Sequence, residues 1–533
     1  MQYNEQQLQA INSNANKIVC IASAGSGKTS VLLSRIDRLV SEGVAADSIL
    51  VLTFTNAAAQ ELTDRYKKNN PGCITTPRFN TFHAFCYALI ANDTNVRYEL
   101  GYTGIPSIAS EDDIRRIWTL VKTIYNIKLP DSKLRGDKTA LRSNDEFQYD
   151  TFWKAYLKQL CAESLITFDV LCDKVSKLFV NHQACIMRYI EQYKYVNVDE
   201  MQDTSQLQMD FVNSFTNSNI YVCGDPQQML YRFRGCTNEI IKQLAEDENW
   251  ELIMLPYNYR STKQIVDFSN TIFAEKWKDV PYYIAGRTDK DGDPIHIHKA
   301  MPLEPSKFID VVADMQADMR DGKSVAILCR TNSEVSEIQA KCHALNIPTR
   351  GKADNSEVIG ILRSSIDSEY CVKWLASLLP NEEYARYLRM VTLDDSINDE
   401  PKFIQTFGYK YSRLLVKIYH CRTLLFENKL PEELITDVAK YLHIRYIRKG
   451  DIENLSDGIN TLISSIEQAV SDGIYIGTIH SVKGLEYDVV HVIDVDSRSF
   501  DTTKNEDEMA CFYVACTRAK ERLHLWFGSE ADF

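Results

Sequence analysis

Short apolar runs along this chain break into polar or glycine-rich turns and are then followed by a helical pattern. Ile18, Val19, Cys20 and Ile21 predict a buried parallel strand, and Ser30 to Leu39, apolar at Leu32, Leu33, Ile36 and Leu39, predicts an amphipathic helix. Ile49 to Leu62 repeats the scheme, with a strand, a Thr/Asn turn and an Ala-rich helix. Tyr195 to Val198, the run from Ile220, and Glu251 to Leu255 predict further strands, and a helix is expected to begin at a cap near Ser261. A second α/β pattern opens near Ser324 with VAILCRTN, placing Arg330 at a strand end. It resumes from Ile474 to Asp494 and closes with a helix from Phe512, carrying Thr517 and Arg518, before a last strand. Between these patterns, residues 91–184 read as helical, notably Asp112 to Ile127 and Phe152 to Leu160, with Arg115, Arg116, Lys154 and Lys158 on solvated faces. Residues 356–471 read as helical and charged. The pattern therefore predicts two α/β cores, each interrupted by a helical insert.

Composition narrows this only slightly. A chain of 533 residues exceeds one hydrophobic core, so two or more domains are expected. The polar start MQYNEQQ lacks a signal-peptide pattern, and no apolar run approaches a membrane span, so no membrane partner is expected. The 14 cysteines show no CxxC spacing and read as buried thiols rather than metal ligands. A net charge of −13 argues against non-specific coating of nucleic acid but leaves room for a local basic groove.

The chemistry concentrates at predicted strand ends. After the first strand comes ASAGSGKT, in which Ala24, Gly25, Ser26 and Gly27 form a loop whose N–H groups can cradle phosphate at a helix N-terminus. Lys28 is placed to reach the outer phosphates and Thr29 to ligate magnesium, although Ala22 stands where the usual phosphate-loop pattern begins with glycine. Asp199 and Glu200 end the strand YVNV, where Asp199 suits a magnesium ion held through water and Glu200 suits activation of the attacking water. Gln228 in GDPQQ suits a sensor of the γ-phosphate. A sequence-tolerant track for nucleic acid is offered by Thr55 and Asn56, by Thr81 and His83, and by the alternation Tyr231, Arg232, Phe233, Arg234. Phe54 suits either core packing or base stacking, His83 alone reads as readily as a structural histidine, and Thr478, His480 and Ser481 offer donors to a nucleic-acid backbone.

The order ASAGSGKT, TFTN, TFHAF, VDEMQD, GDPQQMLYRFRG, NYRST, TIHSVKGLE and YVACTRAK resembles the UvrD/Rep branch of superfamily one helicases over nearly the whole chain. The resemblance implies two RecA-like P-loop motor domains with parallel sheets: 1–90 with 185–262, and 263–355 with 472–533. The helical inserts would be 91–184 and 356–471. It implies that Gln7 reads the adenine edge, Tyr259 stacks on the base and Arg260 reaches the γ-phosphate. It also places Gly484 near the phosphates, Glu486 at the ribose and Arg518 as an arginine finger. The implied activity is ATP- and Mg²⁺-dependent 3'-to-5' travel on single-stranded DNA with unwinding of tailed duplexes, by a monomer or weak oligomer. The implied location is the cytoplasm, at a nucleoid or viral replication site. Two departures stand out: Ala57 follows TFTN where many relatives carry a basic residue, and the chain stops soon after Arg518, so no C-terminal nuclease is expected.

Other readings of the same residues are a translocase that strips proteins from single strands without unwinding, and a DNA-binding module switched by nucleotide. A small-molecule kinase shares the phosphate loop but leaves the late arginines and the aromatic track unexplained. Repair, replication restart and recombination would all use the same motor.

Overall fold

The computed structural model describes residues 3–128, 143–182, 184–230, 238–273, 283–287, 292–298, 305–345, 347, 349–350, 473–495 and 506–527, with fragments between 361 and 459. The chain forms two compact units, residues 1–301 with 479–533, and residues 302–478.

The first unit is built on a six-stranded parallel sheet. Its strands are β1 (Lys17–Ala22), β2 (Ile49–Thr53), β3 (Arg78–Thr81), β6 (Tyr195–Val198), β7 (Asn219–Gly224) and β8 (Glu251–Leu255); β4 (Ser107–Ile108) and β5 (Leu165–Ile166) pair separately. The order is β3-β2-β6-β7-β1-β8, with Cys20 opposite Cys223 and Val51 opposite Asn197. Alternation along each strand divides the core. Ile18, Cys20, Ile49, Val51 and Tyr221 pack with Leu32, Leu33 and Ile36 on one face, whereas Val19, Leu50, Leu52, Val196 and Val222 face a larger, aromatic-rich layer. Strands buried on both faces account for the near-continuous apolar runs in the sequence.

Helix α1 (Glu5–Asn12) precedes β1, and α2 (Lys28–Ser41), α3 (Asn56–Asn69) and α4 (Phe82–Asn92) follow the ends of β1, β2 and β3. Asn4 and Gln7 close a reciprocal capping box at the start of α1. The stretch from Asp112 forms the helix Glu111–Ile124, and Phe152 to Leu160 lies within Ser143–Ala162. Arg116 is half exposed and pairs with Asp113 at 3.3 Å and Glu163 at 2.5 Å. Phe211 sits fully buried against Phe85, Phe179 and Phe215, with ring centroids 4.6 to 5.9 Å apart.

Two expected helix limits differ. The helix after NYRST is Lys263–Thr271 with Thr262 at its N-cap, because the Ser261 hydroxyl instead donates to the Ala519 carbonyl at 2.6 Å. The last helix is Glu506–Cys516, so Thr517 and Arg518 occupy the turn beyond it.

The first unit also contains β9 (Tyr257–Asn258) paired with β10 (Ile284–Ala285), and a parallel set ordered β11-β16-β15, formed by His296–His298, Ala519–Trp526 and Tyr487–Val492. The second unit contains β12 (Val325–Cys329), β13 (Thr349–Arg350) and β14 (Ile474–Thr478), with β14 between the others, and the helices Pro305–Arg320 and Asn332–Ala344. Apart from fragments, the insert expected at 356–471 lies outside the described residues. Among the described residues no helix is long and apolar enough to cross a membrane.

Emptying the Phe211 site in this aromatic layer should be severe. Phe211→Ala is expected to cost about 3–5 kcal/mol and Phe211→Leu clearly less. Thermal and urea unfolding of the two variants checks this; equal midpoints in both and in the wild type would contradict the packing.

Candidate nucleotide and nucleic-acid site

Three chemistry-bearing turns leave the C-terminal ends of β6, β7 and β1, which are neighbours in the sheet. This is the edge at which open α/β sheets bind ligands. After β1, Gly25 and Gly27 take positive φ of 70° and 80°, a conformation that favours glycine, and the loop feeds the N-terminus of α2. Ala24 and Ser26 are buried in the loop, where the Ser26 hydroxyl donates to the Ser23 carbonyl at 2.9 Å. Lys28 donates from Nζ to the Ala22 and Ser23 carbonyls, each at 3.3 Å, and Thr29 is the next residue of α2. Gln7 accepts from the Asn4 N–H and donates to the Ser26 carbonyl at 2.9 Å, which ties α1 to the loop.

A second strand of chain lies directly over this loop. The Tyr259 N–H donates to the Gly25 carbonyl at 3.0 Å, and a Cβ on Gly25 would fall 2.5 Å from that of Arg260. Tyr259 remains 42% exposed and accepts from the Asn4 amide at 2.7 Å, so its ring is held beside α1 with a face still open.

Asp199 is buried, with its Oδ1 accepting from the Cys223 thiol at 3.2 Å. Burial first, and then the charge of Glu200, pushes the Asp199 carboxyl above its ordinary range. Glu200 has φ of 56°, rare for a residue with a side chain. Burial acts to raise its pKa too, but Lys483, Lys28, the Gln202 amide and Arg518 outweigh that effect and hold it below the usual range. Both acids are therefore carboxylates at neutral pH, Glu200 held so by the cations around it and Asp199, pushed up to about 6, the one more in need of a cation.

Gln228 joins two buried charges. Its amide donates to Asp225 at 2.8 Å, and its oxygen accepts from Arg518 at 2.9 Å. Asp225 also receives the hydroxyls of Tyr283 at 2.8 Å and Tyr513 at 3.4 Å. Arg518 is 2% exposed; burial, and then the charge of Arg260, pushes its guanidinium down to about 9, still cationic at neutral pH. Arg260 donates to Glu486 at 2.7 Å and to the Thr517 carbonyl at 3.2 Å. Glu486 is shared with Lys520 at 3.1 Å, and Gly484, at φ of 86°, makes the preceding turn. Lys483 pairs with the buried Asp203 and donates to the Gln228 carbonyl at 3.2 Å.

Gln7, the phosphate loop, Tyr259, Arg260, Glu486, Gln228 and Arg518 are thus linked by the contacts above, with partners that sequence reading missed, whereas the Asp199 side chain bonds to Cys223. Asp225 sits inside GDPQQ, and Asn258, whose Oδ1 accepts from the Arg260 N–H at 2.8 Å, stands just before the Tyr259 and Arg260 pair, so motif position could have found both. Lys483 reads in sequence only as part of a tight turn. Tyr513 opens YVACTRAK, so motif position could have found it too, whereas Tyr283 lies outside every motif.

Among the nucleic-acid candidates, Thr53 and Thr81 are in register on β2 and β3, so the two polar turns after those strands lie side by side. Phe54 is half-buried and absent from the buried core, while Thr55 and Asn56 are exposed at the start of α3. Thr55 and Thr81 cap α3 and α4, and Thr81 reaches Asn56 at 3.5 Å. His83 stands edge-on to Phe168 with centroids 5.3 Å apart. Thr478 ends β14 in the second unit, and His480 lies in the turn Ile479–Val482 of the first. Tyr231 and Phe233 lie outside the described residues.

Comparison with known families matches residues 3–249 to the UvrD/REP helicase N-terminal domain, and residues 253–355 with 401–530 to the UvrD-like helicase C-terminal domain. The chain belongs to the UvrD/REP helicases. Two such domains on parallel sheets give this helicase the fold of two RecA-like α/β motors, and its enzyme class is that of a DNA helicase ATPase. It is 27% identical over 613 residues to a probable DNA helicase II homolog of Mycoplasma capricolum subsp. capricolum, covering 98% of this chain and 84% of the relative. It is 24% identical over 607 residues to the ATP-dependent DNA helicase PcrA of Staphylococcus epidermidis, covering 98% and 83%.

Because a side chain at Gly25 meets both the positive φ and the Arg260 Cβ, Gly25→Ala should weaken nucleotide binding by about tenfold or more, or about 1.4 kcal/mol. Titration with a fluorescent ATP analogue checks this, and wild-type affinity would contradict the close approach.

Proposed function

We propose that this helicase travels 3' to 5' on single-stranded DNA and separates tailed duplexes, using ATP and Mg²⁺. The observation that carries the reading is the single neighbourhood formed by the phosphate loop, Glu200, Gln228, Arg260 and Arg518. Lys28 and the loop N–H groups would bind phosphate, and the Glu200 carboxylate would orient and deprotonate the attacking water. Gln228, held by Asp225 and Arg518, is suited to sense the γ-phosphate, and Arg518 to meet the charge that builds on it. Tyr259 would stack on the base, Gln7 would read its edge with the remaining capacity of its amide, and Glu486 would turn from Arg260 toward the ribose.

The donor set fits magnesium. Asp199, a buried carboxylate with a thiol donor, and the Thr29 hydroxyl are hard oxygen ligands, and a cation would offset the desolvation of Asp199. When bound, the ion neutralises phosphate charge.

Residues of both helicase domains would hold one nucleotide, so binding would favour a joined state and hydrolysis would release it. Phe54, Thr55, Asn56, Thr81 and His83 at the neighbouring strand ends suit contact with single-stranded DNA, and Tyr231, Phe233, Thr478 and His480 are proposed as further nucleic-acid contacts. DNA is the partner, and the monomer or weak oligomer is the proposed working form.

Two measurements test this reading. Unwinding should be seen with a 3'-tailed duplex and be at least about tenfold slower with a 5' tail, one decade being a 1.4 kcal/mol preference. ATP hydrolysis stimulated by DNA without any unwinding would favour the protein-stripping translocase. Arg518→Lys should lower kcat by on the order of a thousandfold, since an ammonium lacks the planar fork, and wild-type kcat would remove Arg518 from the chemistry.

A further inference from the structure

Gln202 has no role in the reading above, yet it is 1% exposed and touches two of that reading's working parts. Its Nε2 donates to Glu200 Oε2 at 2.5 Å, and its Oε1 accepts from the Asp225 N–H at 3.0 Å. The orientation of the amide follows from chemistry: the backbone N–H can only donate and the carboxylate can only accept, so only this assignment satisfies both. The fit is tight, because a Cβ on Gly224 would lie 2.5 Å from Gln202 Oε1 and 3.1 Å from its backbone nitrogen. Asp225 in turn orders Gln228 through its side chain and the Gln227 N–H at 3.1 Å.

We propose that Gln202 is a positioning residue, one end of its amide aiming the Glu200 carboxylate and the other fixing the turn that carries Gln228. This rests on reading Glu200 as the catalytic base. A carboxylate attached to an αL backbone keeps freedom about its side-chain torsions, and a buried donor removes that freedom at the oxygen that must face water. Movement of the Gln228 turn would pass through Asp225 and Gln202 to Glu200, so the base would be aimed only when the sensor is seated.

Two variants separate positioning from folding. Gln202→Leu removes both hydrogen bonds, whereas Gln202→Glu keeps the size of the side chain and an acceptor for Asp225 N–H but sets a second carboxylate against Glu200. Steady-state ATP hydrolysis on single-stranded DNA is followed for kcat and KM, with melting temperature and binding of a non-hydrolysable ATP analogue as controls. Both variants should lower kcat by about ten- to a hundredfold with KM for ATP within about threefold, because the interaction is aimed at the reacting water rather than at bound ATP. Gly224→Ala should reproduce the fall in kcat by displacing the Gln202 oxygen. Wild-type kcat in both Gln202 variants, with Glu200→Gln inactive, would overturn the proposal alone. Continued hydrolysis in Glu200→Gln would instead remove the reading on which it rests.

Discussion

The site depends on one constraint, that two opposite charges are buried without touching each other. Asp225 and Arg518 are at most 2% exposed, and Gln228 bridges them with a donor on one side and an acceptor on the other. Neither ion could be left in that environment unpaired without a large desolvation penalty. Tyr283 and Tyr513 complete the shell of Asp225, and the carbonyls of Val514 and Leu485 that of Arg518. A ligand that draws Gln228 or Arg518 toward itself must disturb both ions together. That property suits a sensor, since a small displacement at one end is felt at the other.

Geometry elsewhere protects this arrangement. The Gly25 contact holds the phosphate loop beneath Tyr259 and Arg260, and Lys483 clamps Asp203 and the Gln228 carbonyl from the chain that follows His480. The Arg260 and Glu486 pair keeps a cation and an anion ready at the same edge. Chemistry is thus distributed over turns, while the parallel sheet sets their spacing.

Much of this was legible in the residues. Strands β6 and β8 match their predicted limits, β6 because its run is buried in the sheet interior and β8, at the sheet edge, because its apolar run is short and bounded by Glu251 and Pro256. The phosphate loop and the acidic pair were legible because their chemistry demands particular residue types at a strand end. The helix near Ser261 was misplaced because a tertiary hydrogen bond to Ala519 competes with capping, and local pattern carries no record of a partner so far along the chain. The same holds for Tyr283, Tyr513 and Lys483, whose roles come from contacts over 58 to 288 residues of sequence separation. Arg116 is solvated as read, and its surface ion pair adds about 1 kcal/mol at most.

The measurement that bears most directly on the account is a double-mutant cycle on kcat for DNA-stimulated ATP hydrolysis, using Gln228→Ala, Arg518→Ala and the pair. If the two residues act as one unit, the double variant should be about as slow as the slower single variant. Losses that multiply would mean that Gln228 and Arg518 act independently, and the buried bridge would then not be what organises the site.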